Sequence, residues 1–332
     1  MYHTLYYFVI LDWDYDEYKV SFQVYHGSRP IAEPLHTVFQ AKSESFYERV
    51  VFDSWLESKM IKIFILPRES RLVLTLYGRK MVTENNETIL KNTELGWTSL
   101  QLFDYESFLA QGIFLLNLWP IEAERQVGPA PDCGSHPYAE TCPLLSIELP
   151  ELSTPVIFPI KVPIQELPQH EFNFDDLDYI TQEELKDMCN LDIITFIGLP
   201  LHEREVLWEK RYYLRNIPKA LPKVLLAAHS WEFACLPGLY GLMHAWKKPE
   251  PMDVLQLFLP CFPDTHVRQI AIEWLSNITN DDFVMILPQL LEALKYETWN
   301  TSPLAKLMLE RSLMSPKVSH ALFWHIAQSI KG

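Results

Sequence analysis

The stretch FPDTHVRQIAIEWL, residues 262–275, decides how the second half of this chain is built. Asp264 and His266 form a D-x-H pair, the kind that can mark a loop handling a phosphoryl group. The apolar residues around them favour another reading. Val267, Ile270, Ala271, Trp274, Leu275 and Ile278 fall on one face of a 3.6-residue period, so the stretch is the start of an amphipathic helix. Asp264 then stands at the N-cap, where its carboxylate accepts from an unpaired first-turn N–H and suits the positive end of the helix dipole. Pro263 limits extension backwards, and His266 becomes an exposed first-turn residue with no chemical role.

The same period runs on in both directions. Phe283, Ile286, Leu287, Leu290, Leu291 and Leu294 make a second stripe, with Asn280, Asp281 and Asp282 as cap candidates. Segments 202–216, 219–228, 233–246, 253–259, 304–313 and 318–330 also read as helices. Amphipathic helices in series with short connections, none able to bury its apolar face alone, describe an α-solenoid of stacked helix pairs, armadillo- or HEAT-like. Trp208, Trp246, Trp274, Trp299 and Trp324 are expected in its packing.

The period changes before residue 160. In VSFQVY (20–25), Val20, Phe22 and Val24 alternate with Ser21, Gln23 and Tyr25, which is strand periodicity. Similar runs at 49–52, 61–66, 71–77, 97–103, 113–119, 144–149 and 156–158, separated by turn-forming clusters, describe an antiparallel β-sandwich. Pro155, Pro159 and Pro163 break any regular element in between. The expected class is therefore α+β in two domains: a sandwich over 1–160, a linker over 161–180 and a helical domain over 181–332.

Composition narrows the function. At 332 residues and 48% hydrophobic content the chain can fill two cores. A formal charge of −15 opposes whole-surface attraction to nucleic acid or anionic lipid, so a lipid contact needs a local basic patch and no nucleic-acid partner is expected. Five scattered cysteines suit reduced thiols in the cytoplasm. No apolar segment approaches the roughly 18–20 residues that span a bilayer, so the expectation is a soluble or peripheral protein.

Each candidate site has a plain alternative. Asp12, Asp14 and Asp16 resemble the start of a calcium loop, but Glu17 stands where that loop needs Gly and Gln23 where it needs a bidentate Glu. Cys133, His136 and Cys142 lack a fourth zinc ligand and a finger's spacing. His202-Glu203 begins like a zinc-protease helix, but Val206 stands where the second histidine belongs. No metal site is therefore expected, and no catalytic residue. Arg68, Arg71, Arg79 and Lys80 could gather at one end of the sandwich and touch lipid phosphates; alternating charge on sheet edges also blocks sheet-to-sheet association.

Several strings resemble phosphoinositide 3-kinases, in the region where a C2 domain precedes the helical or PIK accessory domain. They are VYHGSRPI (24–31), LPRESRLVLTLYG (66–78), LGWTSLQLFDYE (95–106) and LLNLWP (115–120), then LWEKRYY (207–213), FPDTHVRQIAIEWL, LPQLLEALKYE (287–297) and SPLAKLMLERSL (302–313). SWEFACLPGLY (230–240) with LWEKRYY is most similar to class II members; the acidic pair of class I would fall at Gly198 and Leu201. The family's D-R-H-x-x-N and D-F-G motifs do not occur in these 332 residues, so the chain by itself is not expected to phosphorylate anything. The resemblance implies the non-catalytic C2 and helical scaffold of a lipid kinase. Its partners would be the kinase domain of the same polypeptide, inositol-lipid membranes bound peripherally from the cytoplasm, and regulatory proteins. ATP and Mg²⁺ would belong to the complete kinase alone. A stand-alone adaptor binding membranes or proteins is the alternative.

Overall fold

A computed structural model describes residues 7–8, 14–44, 48–84, 87–121, 142–166, 168, 170, 172–299 and 301–329. The chain divides into two compact units, Met1–Ile63 with Arg68–Phe158, and Phe64–Pro67 with Pro159–Gly332.

Every strand pair of the first unit among the described residues is antiparallel. Its strands are β1 (Tyr7–Phe8), β2 (Glu17–His26), β3 (Arg29–Pro30), β4 (Leu35–His36), β5 (Gln40–Ala41), β6 (Ser43–Glu44), β7 (Glu48–Arg49), β8 (Ser70–Glu84), β9 (Glu87–Gln101), β10 (Gly112–Asn117) and β11 (Leu144–Leu149). One sheet runs β3-β2-β8-β9, with β4 and β5 also on β2; a second runs β1-β11-β10; β6 and β7 form a small ladder. Alternation explains the core between the sheets: Tyr18 and Val20 of β2, Leu74 and Leu76 of β8 and Leu100 of β9 meet Leu145 and Ile147 of β11.

The sandwich differs from the expected strands in four places: of run 49–52 only Arg49 lies in a strand, run 156–158 makes a single bridge from Ile157 to Phe108, and the other two are larger. The apolar run 61–66 is no strand; Ile63–Ile65 form a 3₁₀ turn with Phe64 exposed. A continuous apolar run carries no period to choose strand over turn, and Pro67 cannot donate to a ladder. Runs 71–77 and 97–103 belong to one long hairpin, in which β8 and β9 pair from Arg71↔Gln101 to Glu84↔Glu87 with a bulge at Leu76/Tyr77. Since β2 ends its pairing with β8 at Glu17↔Arg79, residues 80–84 and 87–91 continue as a two-stranded ribbon beyond the sheet.

The second unit is helical: α1 (Tyr179–Asn190), α2 (Ile193–Ile197), α3 (Leu201–Glu209), α4 (Leu221–Leu226), α5 (Leu236–His244), α6 (Pro251–Val254), α7 (Thr265–Leu275), α8 (Asn280–Leu294), α9 (Pro303–Met314) and α10 (Pro316–Ser329). Polar side chains start many of them. Asp178, Asp192 and Ser302 cap α1, α2 and α9 by accepting the N–H of Thr181, Thr195 and Ala305. Asp264 caps α7 as expected, its Oδ1 accepting from the Val267 N–H at 2.8 Å. The cap of α8 is Thr279 rather than 280–282: its hydroxyl accepts from the Asp282 N–H at 3.1 Å and donates to the Asp282 carboxylate at 2.7 Å. Val267, Ile270, Ala271 and Leu275 of α7 are buried, as are Phe283, Ile286, Leu287 and Leu290 of α8. Among the described residues no helix is long and apolar enough to cross a membrane.

One glycine, Gly241, admits the incoming chain to this unit. A Cβ on Gly241 of α5 would lie 2.1 Å from the Gln165 carbonyl oxygen, and one on Gly238 would lie 3.4 Å from the Gln165 side chain. Gln165 donates its N–H to the Pro237 carbonyl at 3.0 Å, so the segment before α1 lies directly on the α5 backbone.

Candidate functional site

The four basic residues expected at one end of the sandwich lie at two. Arg71 and Arg79 sit on one strand, and eight residues of antiparallel rise separate them by about 27 Å. At the first end, Arg68 donates to the Ser107 hydroxyl at 3.0 Å and the Tyr105 carbonyl at 3.2 Å, and Arg71 is buried. At the other, Arg79 donates to the Glu17 carboxylate from Nε at 2.7 Å and again from Nη2, with its guanidinium 3.9 Å from the Phe39 ring centroid. Lys80 holds Asp14 at 2.5 Å, and this bond lowers the Asp14 pKa and raises that of Lys80. Asp16 accepts from the Met81 N–H at 2.7 Å, so of the three aspartates read as a calcium loop, two are engaged with β8. Asp12, Cys133 and His136 lie outside the described residues. Cys142 is half-buried, and burial pushes its thiol pKa up.

The ribbon beyond Arg79 is amphipathic. Lys80 faces Lys91 across the hairpin, and the next pair, Met81 and Leu90, leaves both side chains exposed. Strand alternation sends the lysines to one face and the Met–Leu pair to the other.

In the helical unit a buried cation does what the apolar stripe does not reveal. Arg268, on α7 beside the capped end, is 1% exposed. It donates Nε to the Phe262 carbonyl at 2.9 Å, Nη2 to the Phe258 carbonyl at 3.2 Å and Nη1 to the Glu297 carboxylate at 2.6 Å. These bonds tie the 3₁₀ turn Leu255–Phe258 and the loop before α7 to the chain that leaves α8. Asp264 is also more than a cap, because its Oδ2 accepts the Tyr240 hydroxyl of α5 at 2.9 Å. His266 is not the idle first-turn residue expected. It is half-buried, its ring centroid lies 4.1 Å from the Tyr240 ring centroid at a tilt of 41°, and it sits 3.2 Å, Nε2 to Nε2, from His244; burial first, then His244, lowers its pKa.

The last two helices keep apolar side chains on the outside. α9 buries Leu304, Leu307 and Met308, yet Leu313 and Met314 are 87% and 83% exposed. α10 buries Val318 and Leu322 but exposes Phe323, Trp324 and Ile326. Trp324, expected in the packing, is 52% exposed and donates its indole N–H to His320 at 3.0 Å; Trp246 is buried, and Trp208, Trp274 and Trp299 are half-buried. An outward apolar row has no period of its own once the inward row is assigned, so sequence alone does not separate the two.

Comparison with known proteins explains both units. A family described as phosphoinositide 3-kinase C2 matches residues 14–135, and the phosphoinositide 3-kinase family accessory domain (PIK domain) matches residues 175–332. The chain belongs to the phosphoinositide 3-kinase family. Human phosphatidylinositol 4-phosphate 3-kinase C2 domain-containing subunit beta is 31% identical over 324 residues, 96% of this chain and 19% of that protein. Phosphatidylinositol 3-kinase piki-1 of Caenorhabditis elegans is 29% identical over 323 residues, 95% of this chain and 20% of that protein. Phosphatidylinositol 3-kinase 1 of Dictyostelium discoideum is 26% identical over 342 residues, 97% of this chain and 21% of that protein. The chain thus spans about a fifth of the length of these curated relatives. The sandwich is the phosphoinositide 3-kinase C2 domain, and the solenoid is the accessory domain.

Proposed function

We propose that this chain is the C2 and helical support of a class II phosphatidylinositol 3-kinase. The helical unit holds a kinase domain of the same polypeptide, which uses ATP and Mg²⁺ to phosphorylate the 3-hydroxyl of an inositol lipid. The observation that carries this reading is the outer face of α9 and α10. Leu309, Leu313, Met314, Phe323 and Trp324 are large apolar side chains exposed on two consecutive helices, a density that marks a surface built for another protein surface. The names of the relatives, which are 3-kinases several times longer than this chain, support a kinase domain as the occupant, and those called C2 domain-containing subunits support class II.

The C2 unit brings this assembly to the cytoplasmic face of a membrane. Its contact is the ribbon beyond Arg79, where Lys91 offers charge to lipid phosphates, Lys80 adds its own only on exchanging Asp14 for a phosphate, and Met81 and Leu90 on the opposite face offer apolar surface to the interface. Arg79 adjoins that ribbon; Arg68 and Arg71, at the far end of β8, would meet a phosphate only on a different face. With a net charge of −15, only such a local patch can approach anionic lipid.

The test is to read the coding sequence beyond Gly332 and assay its product. An in-frame D-R-H-x-x-N and D-F-G with ATP-dependent 3-phosphorylation of phosphatidylinositol supports the reading, provided the 332-residue chain alone yields no product above a heat-killed control. A stop codon with no kinase motifs would leave an adaptor instead.

A further inference from the structure

The C2 unit contains a cavity of about 350 Å³ to which the family assignment gives no role. Two sheets supply its walls: Phe22 and Val24 of β2 and Leu72 of β8 face Ile147 and Leu149 of β11. Residues 54–61 close one side. This segment has no helix or strand, follows Asp53 in a left-handed conformation (φ 37°), and turns Trp55 toward the cavity. Trp55 stays 37% exposed, so one ring lines the space and meets solvent.

Size and chemistry define what fits. The volume lies at the lower end of the roughly 300–1,000 Å³ of small-molecule sites, which suits one alkyl chain better than a two-chain lipid. The lining surface is mostly apolar, with Ser54, Ser58 and the acidic side chains as its polar groups, so hydrocarbon is the natural filling of the space between the sheets. The charged residues on the lining are all acidic, Glu33, Glu57 and Glu148. Glu33 and Glu57 are exposed and enter no ion pair among the described residues. Their field attracts a cation and repels an anionic head group.

We propose that the inter-sheet cavity of the C2 unit is a binding site for a single-chain cationic amphiphile, its alkyl chain between the sheets and its ammonium head beside Glu33 and Glu57. The two exposed carboxylates select the head, and the extent of the apolar space between the sheets selects the length of the tail.

The probes are alkyltrimethylammonium ions from octyl to tetradecyl, titrated into the full chain below their micelle concentrations. Binding is followed by calorimetry and by the fluorescence of Trp55, with Trp55→Phe as the optical control. Expected is saturable one-to-one binding that tightens about fourfold per added methylene and levels off once the cavity is full. Dodecyl sulfate should bind at least about tenfold more weakly than dodecyltrimethylammonium. In the double variant Glu33→Gln/Glu57→Gln, whose sites are exposed and so leave folding intact, that preference should vanish while dodecanol binds as before. Val24→Phe, which fills the cavity, should abolish binding of all three; if it fails to fold, the charge variant and the chain-length series still decide. No saturable binding, equal affinity for sulfate and ammonium, or tightening with chain length that never levels off would each overturn the proposal.

Discussion

Arg268→Met is the perturbation whose cost the helical unit fixes most narrowly. The substitution keeps a long apolar stem in the same space but removes the donors to the carbonyls of Phe262 and Phe258 and the partner of Glu297. The Arg268 and Glu297 side chains are only 2% and 9% exposed, so water cannot replace the lost cation. Removing one partner of a buried pair costs about 3–5 kcal/mol, chiefly because the other charge stays buried. For a unit of this size about 1 kcal/mol moves the midpoint by roughly 2–4 °C, so the helical transition should fall by about 6–20 °C in calorimetry. Arg268→Met/Glu297→Met removes both charges and should lose less than the single variant, because the uncompensated carboxylate is gone. A single variant within about 1 kcal/mol of wild type, or a double variant worse than the single, would refute the reasoning.

Substitutions at three other positions probe further contacts. Asp264→Ala removes the cap, worth about 0.5–2 kcal/mol, and takes an acceptor from the Tyr240 hydroxyl, worth about 1–3 more, whereas Asp264→Asn keeps the cap acceptor and can hold Tyr240 only with that bond reversed, its amide N–H donating to the phenol oxygen, so it should lose less than the Ala variant; equal losses in urea unfolding would contradict that assignment. Gly241→Ala should free the segment on α5, since the new Cβ meets the Gln165 carbonyl at 2.1 Å; new cleavage near Gln165 in limited proteolysis and a loss of about 1–3 kcal/mol are expected, and an unchanged digest would speak against the contact. His26, fully buried, has its pKa lowered from 6.5 to about 3, by burial first and then by Arg29 and Arg71. Below pH 6.5 the unfolded chain gains a proton that the folded C2 unit refuses, so stability should fall by about 1.4 kcal/mol per pH unit down toward pH 3 and be insensitive to this group above 6.5. His26→Gln should flatten that slope, and an unaltered slope would show that another group sets it.

The residues that were legible in advance share one property: their role is set by neighbours in sequence. Asp264 is followed by a stripe of apolar positions, and the switch from a period of two to one of 3.6 announces the change of domain. Arg268 was hidden because its burial comes from the loop 258–262 and from Glu297 folding over it, contacts that no local pattern encodes. His266 and His244 meet only because α5 and α7 pack, 22 positions apart in sequence. Trp324 misleads in the opposite sense, since an apolar residue on a helix reads as core whether it faces inward or toward solvent. The four basic residues fail for a geometric reason: their spacing in sequence is short, but an extended strand turns it into distance.

The central claim is that the outer face of α9 and α10 seats a kinase domain, and amide hydrogen exchange tests it most directly. Exchange over residues 303–329 should be measured in the isolated chain and in a longer polypeptide that carries the proposed kinase domain after it. Protection of α10 around Phe323 and Trp324 should rise in the longer protein and return to the isolated-chain level in Leu313→Asp/Trp324→Asp, both exposed positions that leave the helices folded. Identical exchange in the two proteins, with lipid phosphorylation unaffected by the double variant, would contradict the account.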